Sequence, residues 1–571
     1  GLEKLSGGRL ERLLEKLTSN PIKAVTLGCV VTALIQSSSA TTVMVVGFVN
    51  SGIMKLQQAV GIIMGANIGT TVTSWLLSLA GLEGNNLFVK LLKPSSFAPV
   101  LAVIGVILIM FLKKDEKKKD IGTILIGFAV LMTGMDTMSA AVKPLANVPE
   151  FTALFTMFSN PILGLIAGAV LTAVIQSSSA SVGILQALSA TGAISFGSAL
   201  PIIMGQNIGT CVTAMISSVG ASKNARRTAL VHLYFNVIGT VIFMIGFYAI
   251  NSFVHFGFMN GPATGFNIAI IHTVFNIVAT LILLPFGNAL VKLACMTVKD
   301  EDVEAEQTAE ERAFRLLDPR FLETPGYAVD QCKLTAVDMA KHAKDGLLMS
   351  LELLEKFDDD KAKKVKELED LVDRYEDELG SYMVKLSHAP LSKYDNHTLS
   401  LLLHSIGDLE RISDHSMNIL SAAEEMHEKG MVFSKEGKAE LTVFVNAVRE
   451  ILDLTVNAFE KNDVKRAAFV EPLEEVVDDI NTMIKANHIR RLQKGICTIE
   501  QGFVLSDIST NLERVSDHCS NIAISVIEID RDGFDAHGYL ENLKKENDSQ
   551  FIGLVETYRK KYALPTTEAA D

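Results

Sequence analysis

Long apolar runs fill the first half of the chain, and their few charges lie mostly between them or at their edges. From about residue 309 the pattern changes to one amphipathic helix after another, with charges throughout. Asn20-Pro21 opens the first run as a helix start, with Asn as N-cap and Pro at the first helical position. Ile22 to Ser51 then gives about 30 apolar residues broken in the middle by Gln36-Ser37-Ser38-Ser39. One spanning helix needs roughly 20 residues, so this run predicts two half-helices, a re-entrant hairpin with the break at its tip. Leu56 to Ala80 is long enough to span, but Gly65, Asn67, Gly69 and Thr70 interrupt it. Glycine and competing side-chain hydrogen bonds weaken a helix there, which predicts a discontinuous helix. Ser95–Leu112 and Ile121 to about Ala141 read as plain crossings. A second hairpin, Ile162–Gly192, and a second broken helix, about Ala199–Val219, follow. Leu230–Ile250 and Asn267–Leu293 supply two more crossings.

The second half of that series copies the first. Asn20–Ala80 laid on Asn160–Gly220 needs no gap and matches at 26 of 61 positions. Gln36-Ser37-Ser38-Ser39-Ala40 returns as Gln176-Ser177-Ser178-Ser179-Ala180, and Gly65-Ala66-Asn67-Ile68-Gly69-Thr70 as Gly205-Gln206-Asn207-Ile208-Gly209-Thr210. Charge orients the copies. The basic stretch 113–120 and the basic loop Lys223–Arg227 fall on the cytoplasmic side by the positive-inside rule. Three crossings then separate the hairpins, so the copies sit with opposite orientation, as an inverted-topology repeat.

The net charge of -13 conceals a division. Residues 1–299 carry 19 Lys+Arg against 9 Asp+Glu, and residues 300–571 carry 33 against 56. The expected fold is therefore all-α: a polytopic membrane domain over 1–298, an acidic linker over 299–311 and a cytosolic helical bundle over 312–571. Within the membrane domain, repeat 1 covers about 1–112, repeat 2 about 121–251, and an extra helix 267–293. Six cysteines with neither framework spacing nor a CxxC pair read as reduced packing residues. Gly1–Asn20 is a basic amphipathic stretch suited to the membrane surface. The second copy has an apolar helix before its hairpin where the first has only this stretch, so an N-terminal transmembrane helix is expected to precede Gly1.

Polar, glycine-rich breaks in both copies are what a duplicated membrane carrier places at its substrate site. A hairpin tip starts a fresh half-helix whose unpaired N–H groups and partial positive charge suit an oxyanion. The hydroxyls of Ser37, Ser38, Ser39, Ser177, Ser178 and Ser179 add donors beside them. Sodium prefers hard oxygen ligands, which the amides of Gln36 and Gln176 and the hydroxyls of Thr70, Thr73, Thr210 and Thr213 offer. Beyond the flanking Lys23, hairpins and broken helices contain no charged side chain, which favours sodium over proton coupling. The glycines of the islands read either as packing or as unwinding positions. His232/Asn236 and His272/Asn276 share i,i+4 spacing and read first as interhelical hydrogen bonds, with a transport role as the alternative.

The doubled Gln-Ser-Ser-Ser word, each followed by Gly-x-Asn-Ile-Gly-Thr, closely resembles the type II sodium–phosphate cotransporter family over about residues 1–295. The resemblance implies sodium-driven import of inorganic phosphate by alternating access, with Asn67 and Asn207 of the islands facing the serines at the phosphate site. Cys211 stands where the first copy has Thr71, so the halves of that site cannot be chemically equivalent.

The second half is duplicated as well. Leu409-Glu410-Arg411-Ile412-Ser413-Asp414-His415 returns as Leu512-Glu513-Arg514-Val515-Ser516-Asp517-His518, and Glu369-Asp370-Leu371-Val372-Asp373 as Glu474-Glu475-Val476-Val477-Asp478. Two three-helix units are expected. Glu410/Asp414 and Glu513/Asp517 stand at i,i+4 on one helix face, where two carboxylates could hold a metal ion or form interhelical salt bridges. These units resemble the PhoU family of phosphate-uptake regulators, whose members can carry metal on such motifs. The expected partners are thus inorganic phosphate, sodium and the bilayer, with no nucleic acid. Homodimerisation stays open. No nucleophile–base set or phosphate loop points to an enzyme.

Overall fold

The computed structural model describes residues 20–79, 94–111, 116–150, 157–299, 309–529 and 549–565, and these are helical throughout, without a strand ladder. They fall into two compact units, Gly1–Ala328 and Val329–Asp571. Residues 1–19 of the amphipathic stretch and 300–308 of the acidic linker lie outside the described residues.

In the first unit α1 (Pro21–Ile35) and α2 (Ser38–Asn50) are followed by α3 (Leu56–Ser78), α4 (Pro94–Phe111) and α5 (Glu116–Val142). The second copy gives α6 (Pro161–Ile175), α7 (Ser178–Ser189) and α8 (Phe196–Ser217). Then come α9 (Lys223–Val254), α10 (Gly265–Leu283), α11 (Gly287–Thr297) and the short α12 (Ala309–Arg315). Among the described residues five stretches are long and apolar enough to cross a membrane: Leu56–Ser78, Lys118–Leu145, Phe196–Ser217, Lys223–Val254 and Gly265–Thr297. Phe253 at 86% and Ile245 at 68% exposure show the apolar outer face that lipid would cover.

Two of the four expected breaks are present, those at the hairpin tips. Helix stops and restarts at Gln36–Ser37 and at Gln176–Ser177, whereas α3 and α8 run unbroken through their glycine islands. Tertiary packing overrides local propensity there. α1 lies along α3 so closely that a Cβ on Gly65 would sit 2.0 Å from the Val25 carbonyl oxygen, and one on Gly69 2.5 Å from that of Cys29. The second copy repeats both values at Gly205 against Leu165 and Gly209 against Ala169. The island glycines are packing residues.

Two smaller corrections concern helix ends. Lys223–Arg227 is the first turn of α9, capped by Ser222, and not a loop. The last crossing is interrupted by a 3-10 turn at Leu284–Phe286, where Pro285 cannot donate to the helix ladder.

α13 (Pro325–Leu353) starts in the first unit and continues into the second, which is completed by α14 (Asp359–Ser387) and α15 (Lys393–Glu428), then α16 (Lys435–Lys461), α17 (Val470–Gln493) and α18 (Ile499–Ile529), with α19 (Ser549–Lys561) against α17. α15 and α18 pair across the duplication. The His415 ring Nδ1 lies 2.7 Å from Asn511 Oδ1, and that of His518 2.8 Å from the equivalent Asp408 Oδ1.

Candidate functional site

Each Gln-Ser-Ser-Ser word folds the same way. Gln36 and Gln176 take the left-handed conformation, with φ of 62° and 57°, and their backbone N–H groups donate to Thr32 and Thr172 carbonyls to close the preceding helix. Ser37 and Ser177 are extended and cap the next helix, their Oγ atoms accepting from Ala40 N–H at 3.1 Å and Ala180 N–H at 3.2 Å. A hydroxyl pair ties the half-helices of each copy together, Thr32 to Thr41 at 3.1 Å and Thr172 to Ser181 at 2.8 Å.

The two tips meet. Ser38 Oγ and Ser178 Oγ lie 3.4 Å apart, although 140 residues separate them, and both side chains are buried. They open α2 and α7, so two helix N-termini with unpaired N–H groups and like partial positive charge converge at one point. That arrangement favours an anion and opposes a cation. Ser39 and Ser179 are half-buried one position further along.

The other expected ligands divide. Thr73 donates to Gln36 Oε1 at 2.8 Å, which joins α3 to the first tip. In the second copy Thr213 Oγ1 is buried without a partner. Thr70 and Thr210 donate to their own helix, to Ala66 and Asn207 carbonyls at 2.9 and 2.6 Å, and keep only acceptor capacity for an ion. Asn67 is buried and its Nδ2 has no partner. Asn207 Nδ2 donates to Ile203 carbonyl at 3.0 Å, and its Oδ1 lies 3.3 Å from His272 Nε2. The pattern of apolar and polar positions gave no sign of that histidine contact, although the repeated His-x-x-x-Asn spacing marked the residue.

In the second unit the acidic residues gather differently from the expected pairs. Carboxylate oxygens of Glu369, Asp373 and Asp414 lie within 4.8 Å of one another, and so do those of Glu474, Asp478 and Asp517. Asp414 and Asp517 join these groups, whereas Glu410 and Glu513 do not. The missing members come from the other duplicated acidic word, on α14 and α17, and helical spacing on α15 and α18 alone cannot supply them. Arg411 and Arg514 approach their neighbours Glu410 and Asp414, and Glu513 and Asp517, at 3.1–3.8 Å within one helix, so the ion pairs are local and not interhelical. Burial, followed by the charges of neighbouring carboxylates, pushes Glu369 and Asp373 above the usual carboxylate range and Asp478 up to about 6. Three crowded carboxylates held against their own repulsion fit a hard cation.

Comparison with known proteins agrees with both halves. The model of the Na+/Pi-cotransporter family matches residues 1–140 and again 131–261, and that of the PhoU domain matches 336–423 and 442–526. The chain is 25% identical over 542 residues to the "Putative inorganic phosphate export protein YjbB" of Escherichia coli, covering 92% of this chain and 94% of that protein. It is 30% identical over 294 residues to the "Uncharacterized protein YqeW" of Bacillus subtilis, covering 51% of this chain and 90% of that one. The helical half is 28% identical over 183 residues to PhoU homolog 1 of Thermotoga maritima, covering 32% of this chain and 78% of that one. The import direction that the family resemblance implied is overturned here: the relative that matches nearly end to end is named for export. The protein is a multi-pass membrane protein with a cytoplasmic C-terminal PhoU-like domain, and these are transport and regulatory families and not catalytic ones. The chain belongs to the Na+/Pi-cotransporter family and carries two PhoU domains behind its membrane unit.

Proposed function

We propose that this protein moves inorganic phosphate out of the cell through the point where α2 and α7 meet. The observation that carries the reading is the 3.4 Å approach of Ser38 and Ser178 at two converging helix N-termini. Hydroxyls and backbone N–H groups hold an oxyanion without the permanent charge of Arg or Lys, so it can leave again. Asn67 Nδ2, buried and unspent, is a further donor at this site. Sodium enters as a ligand of neutral oxygens, with the Thr213 hydroxyl, buried without a partner, one of those available. The two helix–break–helix elements act as re-entrant hairpins entering from opposite faces, and alternating access moves one repeat against the other. Export fits the relative's name; energetically, each tenfold phosphate ratio across the membrane supplies about 1.4 kcal/mol.

The clusters Glu369/Asp373/Asp414 and Glu474/Asp478/Asp517 would each hold a hard metal ion on the regulatory unit. Such an ion supplies positive charge that relieves the carboxylate repulsion and clamps α14 to α15 and α17 to α18.

Proteoliposomes loaded with labelled phosphate test the reading. Efflux well above that of protein-free vesicles is expected, and it should respond to exchanging sodium for potassium on both sides. Efflux no faster than from empty vesicles would defeat the proposal; equal efflux in both salts would remove sodium from it.

A further inference from the structure

We infer that His272 is a positioning residue for the phosphate site, acting through Asn207; the inference rests on the reading that Asn207 belongs to that site. α10, which carries His272, lies beyond the residues matched by the cotransporter model. Its imidazole is 1% exposed and reaches Asn207 Oδ1 on α8 at 3.3 Å. A carboxamide oxygen only accepts, so His272 Nε2 carries the proton and donates, which leaves Nδ1 as the acceptor nitrogen, buried without a partner.

Asn207 is thereby held at both ends. One Nδ2 hydrogen goes to the Ile203 carbonyl, the oxygen is taken by His272, and the second Nδ2 hydrogen is left in a fixed direction. Without the histidine the carboxamide can turn over and present its oxygen, which repels an oxyanion. Asn67, the equivalent in the first copy, shows what the unheld case looks like, with Nδ2 unpartnered. α9 repeats the same face 40 positions earlier, His232-x3-Asn236-x3-Thr240 against His272-x3-Asn276-x3-Thr280. Both ring nitrogens of His232 are buried and unpartnered. Sharing the pattern therefore does not create the contact: both helices pack on α8, and only the His272 ring meets Asn207.

The test is phosphate transport by the full chain in proteoliposomes, reading KM and maximal rate separately. Asn207→Ala should raise the phosphate KM at least tenfold. His272→Ala should raise it about fivefold with the maximal rate within twofold, and His272→Gln, which keeps an N–H donor, should recover most of the loss. If Asn207→Ala leaves KM unchanged, the site reading fails and this inference with it. If Asn207→Ala raises KM but His272→Ala does not, or if Gln and Ala at 272 are equally impaired, only the positioning role is overturned.

A second, independent observation concerns the far end of α2. Asp318, buried at 3%, pairs with Arg320 at 2.7 Å and accepts from Asn50 Nδ2 at 2.5 Å, while Arg320 Nε donates to the Ser217 carbonyl at 2.6 Å. Asn50 Oδ1 in turn accepts from Ser222 N–H at 2.8 Å. Phe321, Phe48 and Tyr327 form a mutual cluster with ring centroids 5.0–5.5 Å apart, all three rings fully buried. Residues 318–327 thus join the end of α2 in the first repeat to the end of α8 in the second, and Asn50 itself reaches the cap of α9. α2 starts at Ser38 and is 13 residues long, about 20 Å of rigid helix, so holding its end restrains its tip. We propose that this segment is a clasp that slows relative movement of the two repeats. Arg320→Ala should raise the phosphate transport rate at least threefold. A Gly47→Cys/Phe321→Cys pair should lose transport on oxidation and regain it on reduction. An unchanged or lower rate in Arg320→Ala, or full transport by the oxidised pair, would overturn the clasp.

Discussion

The two copies of the repeat share a backbone and differ in where their polar atoms are spent. Both break at a left-handed glutamine, both restart at a serine cap, and their glycine contacts agree at 2.0 and 2.5 Å. Their side chains diverge. In the first copy Gln36 is tied to Thr73 and Asn67 keeps a free Nδ2. In the second, Asn207 is tied to His272 and Thr213 is left unpartnered. Gln206, standing where the first copy has Ala66, adds a bond to the Ser181 carbonyl at 3.0 Å. Duplication supplied a framework; bonds made within each copy, and at Asn207 the neighbouring α10, leave different atoms free for ligands.

The framework half of this comparison breaks first at the glycines. Gly65→Ala and Gly205→Ala each place a Cβ 2.0 Å from a backbone carbonyl that cannot move alone. Each should cost about 3 kcal/mol or more, seen as a large loss of folded protein or a depressed Tm. Gly127→Ala, with nothing within 4 Å of the new methyl, should be neutral or gain up to about 1 kcal/mol. Tolerance of alanine at one of Gly65 and Gly205 but not the other would show that the copies do not share a framework. Next in size, Ser38→Ala and Ser178→Ala should each raise the phosphate KM about tenfold, the equivalent of one hydrogen bond to a charged group. Because the two hydroxyls adjoin each other, the double variant should fall short of the product of the singles.

The same contrast explains what could be read from the sequence. The helix breaks were legible because a cap, a proline and a polar word coincide at Asn20-Pro21 and Gln36–Ser39. The glycine islands were misread as breaks because their cause is the α1 backbone, which is distant in sequence. Glu369 and Glu474 were visible as a repeated acidic word, yet their assembly with Asp414 and Asp517 depends on how α14 meets α15 and how α17 meets α18. The direction of transport left no mark in the sequence: the import implied by the resemblance rested on the family alone, and the repeated polar words are silent on it.

The acidic clusters extend the comparison to the second unit. Burial foremost, then Glu513 and Asp517, raise Asp478 to about 6. A raised carboxyl pKa favours the folded state when protonated. Its contribution is fully present below the unfolded value near 4 and is lost as pH rises through about 6. A bound cation would replace the proton. Manganese affinity of the full chain should therefore rise several-fold between pH 5 and pH 7, and Asp478→Asn should flatten that slope while leaving the Glu369/Asp373/Asp414 cluster able to bind. A slope unchanged by Asp478→Asn would show that metal, if bound, is held elsewhere.

The smallest expected effect separates the copies most finely. Thr73→Val removes the 2.8 Å bond to Gln36 and should cost about 1 kcal/mol of stability, since the amide oxygen at the first tip loses its donor. Thr213→Val removes a hydroxyl that bonds to nothing in the protein, so its stability should hold or rise slightly. A buried hydroxyl kept without a partner is unfavourable, and it is explained if its oxygen receives a ligand during transport. Thr213→Val should then raise the sodium concentration needed for half-maximal transport by twofold to fivefold, with the Tm unchanged. Thr73→Val should show the reverse, a lower Tm with little change in sodium dependence. If the sodium requirement shifts in neither variant, the threonines serve only to pack the repeat, and sodium coordination must be sought among the backbone carbonyls freed at Gln36 and Gln176.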